Sequence, residues 1–418
     1  MIHKLLKYLQ EQSVNYAIIN GSESLFENDS ELGDIDILFK KDDFKNIEQI
    51  LKTFCKTERF KIVQIYHQEV YAKNIFIFNP NTTQLLNLDI YGKLHRKNTV
   101  YFSETEIFNN LQQFKGVNSL ATHQEFFHYL FKKADKNDVS ETAFQYLRKL
   151  FLKDEKACES VIKNNIKAES DNLIKAFKNN DNTLLLTSIE ALKNDVKTNP
   201  KQSINYRIKN KFRVLKRTIK PTGISIVFLG PDGSGKSTII DGLTNKILPF
   251  RKTSYFHLKP IIAKSDNSAA TINPHEFAPY SKLKSFVKLL FFIWQYNKGW
   301  IKNIYPSKIK STLIIFDRYY DDLIVDSKRY RYGGSINLAK FVRFFIPKPA
   351  LYFILTADAD IIFKRKQEVT LTELQTQIKN YRGLTNNAQY HNIDVDKSPD
   401  AIVNEVFNIL MKKMNERY

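Results

Sequence analysis

The stretch Ile224-Ser-Ile-Val-Phe-Leu-Gly-Pro-Asp-Gly-Ser-Gly-Lys-Ser-Thr-Ile-Ile240 decides the fold of the second half of this chain. Residues 224–229 form an apolar, β-branched run, which predicts a buried strand. Residues 230–237 match the pattern G-x-x-x-x-G-K-[ST], and residues 238–240 are expected to open a helix. A strand, this loop and a helix in that order predict an α/β domain with a parallel sheet and a phosphate-binding loop. The alternative is a glycine-rich turn without a ligand.

Each residue type in this loop has a physical role in holding phosphate. Gly230, Gly233 and Gly235 lack a Cβ atom, so the backbone can curl until its N–H groups point at phosphate oxygens. The N-terminus of the following helix favours anions. Lys236 is expected to reach the β- and γ-phosphates of ATP, and the Ser237 hydroxyl is expected to hold Mg²⁺. The predicted nucleotide-binding set is Gly230, Asp232, Gly233, Ser234, Gly235, Lys236, Ser237 and Thr238.

Length and composition indicate an ordinary multidomain globular protein. The chain has 418 residues, of which 43% are hydrophobic and 26% are charged, and this suggests two or three domains. Cys55 and Cys158 lie far apart and have no nearby Cys or His partner, so they suit neither a disulfide framework nor a zinc site. Residues 1–9 do not resemble a signal peptide, and no apolar run approaches the roughly 18 residues that span a bilayer. We therefore expect a cytoplasmic protein in a reducing compartment.

The net charge of +20 is unevenly distributed along the chain. No acidic residue occurs between Asp195 and Asp232, and a second acid-free stretch covers residues 277–316. This balance favours anionic partners, namely nucleotides, phosphorylated glycans, nucleic acid or an acidic membrane surface. A solvated helical face is the alternative for any single lysine.

Two basic segments carry apolar stripes. Residues 201–220 place Ile204, Ile208, Phe212, Leu215 and Ile219 on one helical face, which favours a connector helix packed by that stripe. Association of such basic segments with a membrane surface is the alternative. Residues 281–304 are rich in aromatic and aliphatic side chains, and they predict a mostly buried helix.

The N-terminal region contains a second candidate site. A strand at residues 14–19 ends in Gly21-Ser22, and a strand at residues 33–39 carries Asp34 and Asp36 on one face. A later strand at residues 84–91 carries Asp89. Three carboxylates on neighbouring strands can hold two Mg²⁺ ions, one at an acceptor oxygen and one at a triphosphate. Solvent-facing aspartates, or a degenerate site, are the alternatives.

This pattern resembles the nucleotidyltransferase superfamily with the polymerase-β-type fold. The resemblance rests on Gly21-Ser22, Asp34 with Asp36, and Asp89, and it covers roughly residues 1–115. More closely, the region resembles the nucleotidyltransferases of bacterial surface-polysaccharide loci. The resemblance implies that Gly21 and Ser22 bind the phosphates of a nucleoside triphosphate and that the three aspartates bind metal and act in catalysis.

Residues 119–200 change to helical patterns. Thr122-His-Gln-Glu125 matches a capping box at the start of the first helix. Further helical patterns cover residues 141–165, 168–178 and 183–196. This region predicts a helical layer that packs on the N-terminal domain.

The C-terminal half supplies the other parts that a phosphate-loop enzyme needs. A buried strand at residues 313–316 ends in Asp317, a carboxylate expected to contact Mg²⁺ directly or through water. Arg318 follows at the edge where open α/β sheets bind ligands. A basic helix that contains Arg365 is expected to close over the transferring phosphoryl group.

This half, roughly residues 221–418, resembles the thymidylate kinase family of nucleoside-monophosphate kinases. The resemblance rests on residues 230–238, Asp317-Arg318-Tyr319 and the Arg365 region. It implies that Asp232 contacts the acceptor sugar and that Arg318 positions the acceptor phosphate. The family's nucleoside-recognition segment is replaced here by residues 321–334, as in a thymidylate-kinase-like subgroup of surface-polysaccharide loci. The extra carboxylates Asp321, Asp322 and Asp326 suit sugar hydroxyls, unless they cap a helix or pair with Arg329 and Arg331.

The sequence therefore predicts a two-headed enzyme of the α/β class. A nucleotidyltransferase-like α+β domain (1–118) and a helical connector (119–220) precede a phosphate-loop kinase domain (221–418). The expected partners are nucleoside triphosphates and a small-molecule or glycan acceptor, in surface-polysaccharide biosynthesis. One rival is a true thymidylate kinase with a degenerate N-terminal domain. Another is a nucleotide-dependent nucleic-acid-binding or defence module, which no stacked-aromatic motif supports.

Overall fold

A computed structural model describes most of the chain. The described residues are 1–26, 33–96, 99–100, 102–137, 139–166, 168–197, 203–261, 277–386 and 388–418. They form two compact units, the first comprising Met1–Asn79 and Leu86–Arg213 and the second comprising Pro80–Leu85 and Val214–Tyr418. The acidic stretch of residues 25–32, between Ser22 and Asp34, lies largely outside the described residues. The predicted boundary at residues 118–119 stays a prediction.

The first unit is built on a seven-stranded sheet of order β3-β4-β5-β2-β1-β9-β8. β1 runs antiparallel to β2, whereas β2 and β5 run parallel, and Asp36 on β2 is the register partner of Asp89 on β5. β6 and β7 form a separate antiparallel pair. The strands are β1 (Tyr16–Ile18), β2 (Ile35–Phe39), β3 (Lys61–Glu69), β4 (Ala72–Asn79), β5 (Gln84–Tyr91), β6 (His95–Arg96), β7 (Thr99–Val100), β8 (Gln112–Phe114) and β9 (Val117–Ser119).

Helices of the first unit share a core with this sheet. Ala17, Ile19 and Leu38 from the strands join one cluster with buried phenylalanines of the helices, such as Phe126 and Phe177. The helices therefore form a layer packed on the N-terminal sheet. The helices are α1 (Ile2–Glu11), α2 (Lys41–Glu58), α3 (Glu104–Asn109), α4 (Thr122–Lys136), α5 (Glu141–Lys153), α6 (Glu155–Asn165), α7 (Ser170–Asn179) and α8 (Asn182–Lys197), and α9 (Ile204–Ile219) crosses into the second unit.

The capping box expected at the start of α4 does not form. The residue that precedes the helix is Ala121, and no side chain caps the helix there. Thr122 donates instead to the side chain of Gln112, and the Glu125 carboxylate accepts the backbone N–H of Gly21. The prediction was wrong because the helix begins after Ala121, which has no side-chain acceptor, and Glu125 binds the backbone of Gly21 instead, 104 positions away.

The second unit is built on a five-stranded sheet of order β11-β12-β10-β13-β14. Its four strand pairs are all parallel, which confirms the predicted α/β class with a parallel sheet. β10 coincides with the apolar run of residues 224–229, and all of its residues are buried. The strands are β10 (Ile224–Leu229), β11 (Lys252–His257), β12 (Thr312–Asp317), β13 (Leu351–Thr356) and β14 (Tyr390–Asp394).

The helices of the second unit pack around this sheet. The helix α10 begins directly after the glycine-rich loop, as predicted. A π-helical turn, Trp300–Ile304, follows α11. The helices are α10 (Lys236–Thr244), α11 (Lys282–Gly299), α12 (Tyr305–Ile309), α13 (Tyr320–Val325), α14 (Ile336–Val342), α15 (Ala359–Arg365), α16 (Leu371–Arg382) and α17 (Pro399–Asn415).

Two expectations about helix burial were wrong. Helix α9 has no buried residue, so its apolar stripe does not pack against the described part of the chain. In α11, Leu289 and Phe292 are buried, whereas Val287 and Trp294 are more than half exposed. A periodic sequence shows that a helix has an apolar face, but it does not show what covers that face.

Two simple properties complete the description of the fold. Cys55 and Cys158 are buried free thiols, and burial raises the pKa of each to about 12. Within the described ranges, no helix combines the length and the hydropathy that a membrane span requires.

Candidate active site at the phosphate-binding loop

The glycines of residues 230–235 allow the loop to turn between β10 and α10. Gly230, Gly233 and Gly235 have φ angles of 149°, 80° and 80°, a region that favours glycine. A Cβ atom on Gly233 would lie 2.9 Å from Lys366 Cβ and 3.2 Å from the Ile362 carbonyl oxygen. The loop therefore needs glycine at Gly233 for two reasons, its backbone conformation and the close approach of α15.

Lys236 is folded into the loop that it follows. Its Nζ atom lies 2.9 Å from the carbonyl oxygens of both Gly230 and Pro231, and the side chain is buried. Burial, together with the positive charge of Arg318, lowers the pKa of Lys236 to about 8. The ammonium is thus still the main form at pH 7. The arrangement places a partly desolvated cation where the loop would receive phosphate oxygens.

Two oxygen donors in this region suit a divalent cation. Ser237 and Thr238 are exposed in the first turn of α10. Asp317 is buried at the end of β12, where Tyr255 donates to Oδ2 at 3.0 Å. Its Oδ1 atom is buried and has no hydrogen-bond partner among the described residues. An unpaired carboxylate oxygen and a serine hydroxyl are ligands that Mg²⁺ prefers, so these residues fit the expected ion.

A buried cluster of charges lies beside the loop. Arg318 donates to Asp232 Oδ1 at 2.5 Å and to Asp322 Oδ2 at 2.7 Å. Arg329 donates to the other oxygen of Asp232, so two guanidinium groups share one carboxylate. Burial alone would raise the pKa of Asp232, but a hydrogen bond with Glu368 and the two arginines hold it well below its usual range. We call Asp232, Arg318 and Arg329 the Asp232 cluster.

The backbone at Arg318 is strained in a way that serves this cluster. Its φ angle is 69°, which is uncommon for a residue with a side chain, and its N–H donates to the Phe228 carbonyl at 2.9 Å. Strain of this kind persists where the surroundings fix the conformation, and it is frequent at functional sites. The turn directs the guanidinium back across the end of the sheet toward Asp232.

The extra carboxylates of residues 321–326 form hydrogen bonds within the protein. Asp322 is fully buried and accepts from Arg318 and from the hydroxyls of Tyr330 and Tyr381. Asp321 accepts from Arg343 at 2.8 Å and from Tyr390 at 2.9 Å.

Asp326 is also engaged within the protein. It accepts from the backbone N–H of Arg329 at 3.2 Å and from Gln377 at 3.1 Å. These contacts favour the alternative in which the three aspartates pair within the protein over the one in which they bind sugar hydroxyls. They are structural partners of arginine, tyrosine and glutamine side chains, although the arginines that pair with Asp321 and Asp322 are not the expected ones.

The segment that follows α15 carries both a cation, Lys366, and an anion, Glu368, close to the loop. Glu368 lies 3.7 Å from Arg329 and 2.6 Å from Lys366. Arg365 is exposed, and its guanidinium donates to the Val395 carbonyl at 3.0 Å. The structure brings Lys366 and Glu368 toward the Asp232 cluster, whereas it leaves Arg365 bonded elsewhere. A catalytic role for Arg365 stays a prediction.

The first unit brings two of its three predicted carboxylates together. Asp36 and Asp89 lie side by side, in register on the parallel strands β2 and β5. Asp34 is exposed and accepts from Asn87, while Asp89 accepts from Asn74 at 2.8 Å. Burial, together with the negative charges of Asp36 and Asp34, raises the pKa of Asp89 to about 6. Among the described residues, no three acidic, histidine or cysteine side chains form a group that could hold a metal ion.

Side chains of α4 and α5 already occupy this second site. Lys132 Nζ lies 2.8 Å from Asp36 Oδ2, so an ammonium neutralises the carboxylate. The backbone N–H of Gly21 donates to Glu125 at 2.9 Å and to the hydroxyl of Tyr146 at 3.2 Å. Ser22 is half-buried beside it. Gly21, predicted to bind phosphate, and Asp36, predicted to bind metal, are thus hydrogen-bonded to other groups of the protein.

Sequence reasoning missed several residues of both sites. Lys132, Glu125 and Glu368 were not predicted, and neither was the role of Tyr381. Most of them lie far along the chain from their partners: Tyr381 is 59 positions from Asp322, and Lys132 is 96 positions from Asp36. Glu125 and Lys132 lie on the face of α4 opposite Phe126, Phe127 and Leu130, so helical periodicity gave no signal for them.

Comparison with known proteins gives only distant similarity. No protein-family model matches the chain, and no curated protein matches it. Among solved structures, the chain is similar to the thymidylate kinase from Candida albicans, at 17% identity and a TM-score of 0.34, over 46% of this chain and 93% of that chain. It is also similar to the thymidylate kinase from Ehrlichia chaffeensis, at 21% identity and a TM-score of 0.31, over 46% of this chain and 100% of that chain. Likeness at these identities and scores does not establish an activity.

Proposed function

We propose that the second unit transfers a phosphoryl group from ATP to a small acceptor. The observation that supports this most is Lys236, a buried cation held by the loop's own carbonyl oxygens beside the Asp232 cluster. ATP phosphates would replace those carbonyls as partners of Nζ, and the glycine-rich backbone would supply N–H donors. When bound, Mg²⁺ would neutralise charge on the phosphates, with Ser237 and Asp317 as its protein ligands.

The Asp232 cluster suggests the chemical class of the acceptor. Two guanidinium groups that share one carboxylate can bind an acceptor phosphate in the bidentate manner typical of arginine. The Asp232 carboxylate can accept a hydrogen bond from an acceptor hydroxyl. A phosphate and a hydroxyl occur together in a phosphorylated sugar or a nucleotide. We therefore propose a sugar- or nucleotide-related acceptor, and thymidylate is one of the candidates.

An acceptor screen tests this proposal. The full chain is incubated with γ-labelled ATP and Mg²⁺ against nucleoside monophosphates, sugar phosphates, free sugars and glycan extracts. We expect label in a phosphorylated sugar or nucleotide, and Lys236→Ala should reduce it about 100- to 1000-fold. Thymidylate turnover with kcat/KM at or above about 10⁴ M⁻¹s⁻¹ would favour a true thymidylate kinase. Nucleic-acid binding that weakens with salt, without transfer to any acceptor, would favour the nucleic-acid rival.

We propose metal-dependent nucleotidyl transfer by the first unit as a second function. The pairing of Asp36 with Asp89 on adjacent parallel strands supports it. The Lys132–Asp36 ion pair opposes it, because a metal ion would have to displace that ammonium. A role in surface-polysaccharide biosynthesis follows from the resemblance of both halves to proteins of such loci, and it is tested by the glycan arm of the screen.

A further inference from the structure

We propose that α9 docks the protein on an anionic membrane surface through its apolar stripe. At about 100° per residue, the five stripe residues fall within an arc of about 80° on the helix. Ile204, Phe212 and Ile219 are each more than 60% exposed, and the helix has no buried residue. The stripe residues are Ile204, Ile208, Phe212, Leu215 and Ile219.

The opposite face of α9 is the one that contacts the protein. Arg213 donates to the carbonyls of His67 at 2.8 Å and Gln68 at 2.6 Å within the first unit. Within the second unit, Arg217 donates to the Ile309 carbonyl at 2.9 Å. The helix is therefore held by its polar face, which is the reverse of an ordinary surface helix. Its apolar face is left pointing away from the residues that hold it.

Cations line both sides of the stripe. Lys211 lies next to one edge of the apolar arc, and Lys209 and Lys216 lie next to the other. None of the three forms an ion pair with a described residue, and α9 contains no acidic residue. Lysines beside an apolar stripe can extend to lipid headgroups while the apolar side chains enter the interface. The surface is complementary to anionic lipid in both charge and polarity.

Other occupants fit this surface less well. A second copy would bring two acid-free, basic helices together, and like charges facing each other are unfavourable. An acidic protein that binds a helix in a groove contacts a wider part of the helix circumference than one narrow arc. A flat membrane surface needs only that arc. The observations therefore favour lipid.

Vesicle flotation tests the proposal with the full chain. Binding is compared between vesicles of phosphatidylcholine alone and vesicles with about 30% phosphatidylglycerol, at low and high salt. We expect binding to the anionic vesicles that weakens with salt. Ile208→Gln/Phe212→Gln/Leu215→Gln should lower the binding constant by more than tenfold. The lysine variant Lys209→Gln/Lys211→Gln/Lys216→Gln should lower it on the order of 100-fold on anionic vesicles.

A matched control distinguishes binding through the stripe from nonspecific binding through other exposed apolar side chains. Leu152, Leu186 and Ile247 are also exposed aliphatic residues, and their triple change to glutamine should leave flotation unchanged. Circular dichroism and ATP turnover in solution should be the same for all variants, since none touches the phosphate loop. The proposal is overturned if the wild-type chain does not float, if the control variant loses as much binding as the stripe variant, or if the stripe variant instead abolishes a dimer in solution.

Discussion

Lys236 has two partners in the structure that a bound phosphate would replace. Its ammonium is held by backbone carbonyls of the same loop, so removing it should leave the loop glycines and the backbone in place. We predict that Lys236→Ala lowers ATP turnover about 100- to 1000-fold, the range found when one preorganised donor to a reacting anion is lost. Steady-state kinetics checks this prediction. The control is Lys252→Ala, a change at an exposed lysine of β11, which should keep full activity. Equal turnover in both variants would show that Lys236 and its loop do not act in ATP turnover.

The lowered pKa of Lys236 gives a second prediction at this scale. Burial disfavours the ammonium, so its pKa is about 8, and the charged form that attracts ATP is lost as pH rises above that value. We expect kcat/KM for ATP to be level below pH 8 and to fall above it, because this ratio reports the free enzyme. In Lys236→Arg, the residual activity should not show that decline, since guanidinium stays charged. A decline that persists in Lys236→Arg would assign the pH dependence to another group.

At the scale of single elements, α13 joins the site to the core. Asp322 in its first turn is fully buried and binds Arg318, which also holds Asp232. Burial would raise the pKa of Asp322, but Arg318 and the hydroxyls of Tyr381 and Tyr330 lower it, so the carboxylate stays ionised. The helix therefore fixes the position of Arg318, the arginine of the proposed acceptor site.

We predict that Asp322→Ala destabilises the protein by about 3 kcal/mol, because it removes one partner of a buried ion pair and leaves two buried hydroxyls without their acceptor. Urea unfolding measures this, with ATP turnover followed in parallel. Glu405→Gln, which breaks the exposed Lys397–Glu405 pair, is the control and should leave the unfolding midpoint unchanged. If Asp322→Ala is as stable as the control, Asp322 does not anchor Arg318.

At the scale of the whole molecule, nucleotide binding by the two units can be tested separately. In the Lys236→Ala background, any remaining metal-dependent nucleotide binding is expected to belong to the first unit. We predict that Asp36→Asn/Asp89→Asn abolishes it, because these two carboxylates, paired in register on β2 and β5, are the proposed metal ligands. Equilibrium dialysis with labelled nucleoside triphosphates and Mg²⁺ measures it.

The pKa of Asp89 sets the pH dependence of that binding. Metal needs the ionised carboxylate, and the pKa of Asp89 is about 6, so binding should strengthen as pH rises through 6. Asp42→Asn/Asp171→Asn removes two exposed carboxylates of the same unit and should change nothing. Absence of metal-dependent binding in the Lys236→Ala chain itself would make the first unit a scaffold, with Lys132 as the permanent partner of Asp36.

Local features of this chain could be predicted from the sequence because they depend on neighbours a few residues apart. The β10 strand, the glycine-rich loop and the start of α10 follow from residues 224–240 alone. The strands that carry Asp36 and Asp89 follow from alternation and turn residues in the same way. The parallel class of the second sheet followed from the order of strand, loop and helix.

Only the tertiary structure decided which groups meet. Arg318 and Arg329 lie 86 and 97 positions from Asp232, and Lys132 lies 96 positions from Asp36, so no local pattern links them. The same holds for burial, because the α9 sequence specifies an apolar stripe but not a surface to cover it. Periodicity is a property of one helix, whereas a charge pair or a buried face requires two elements brought together by folding.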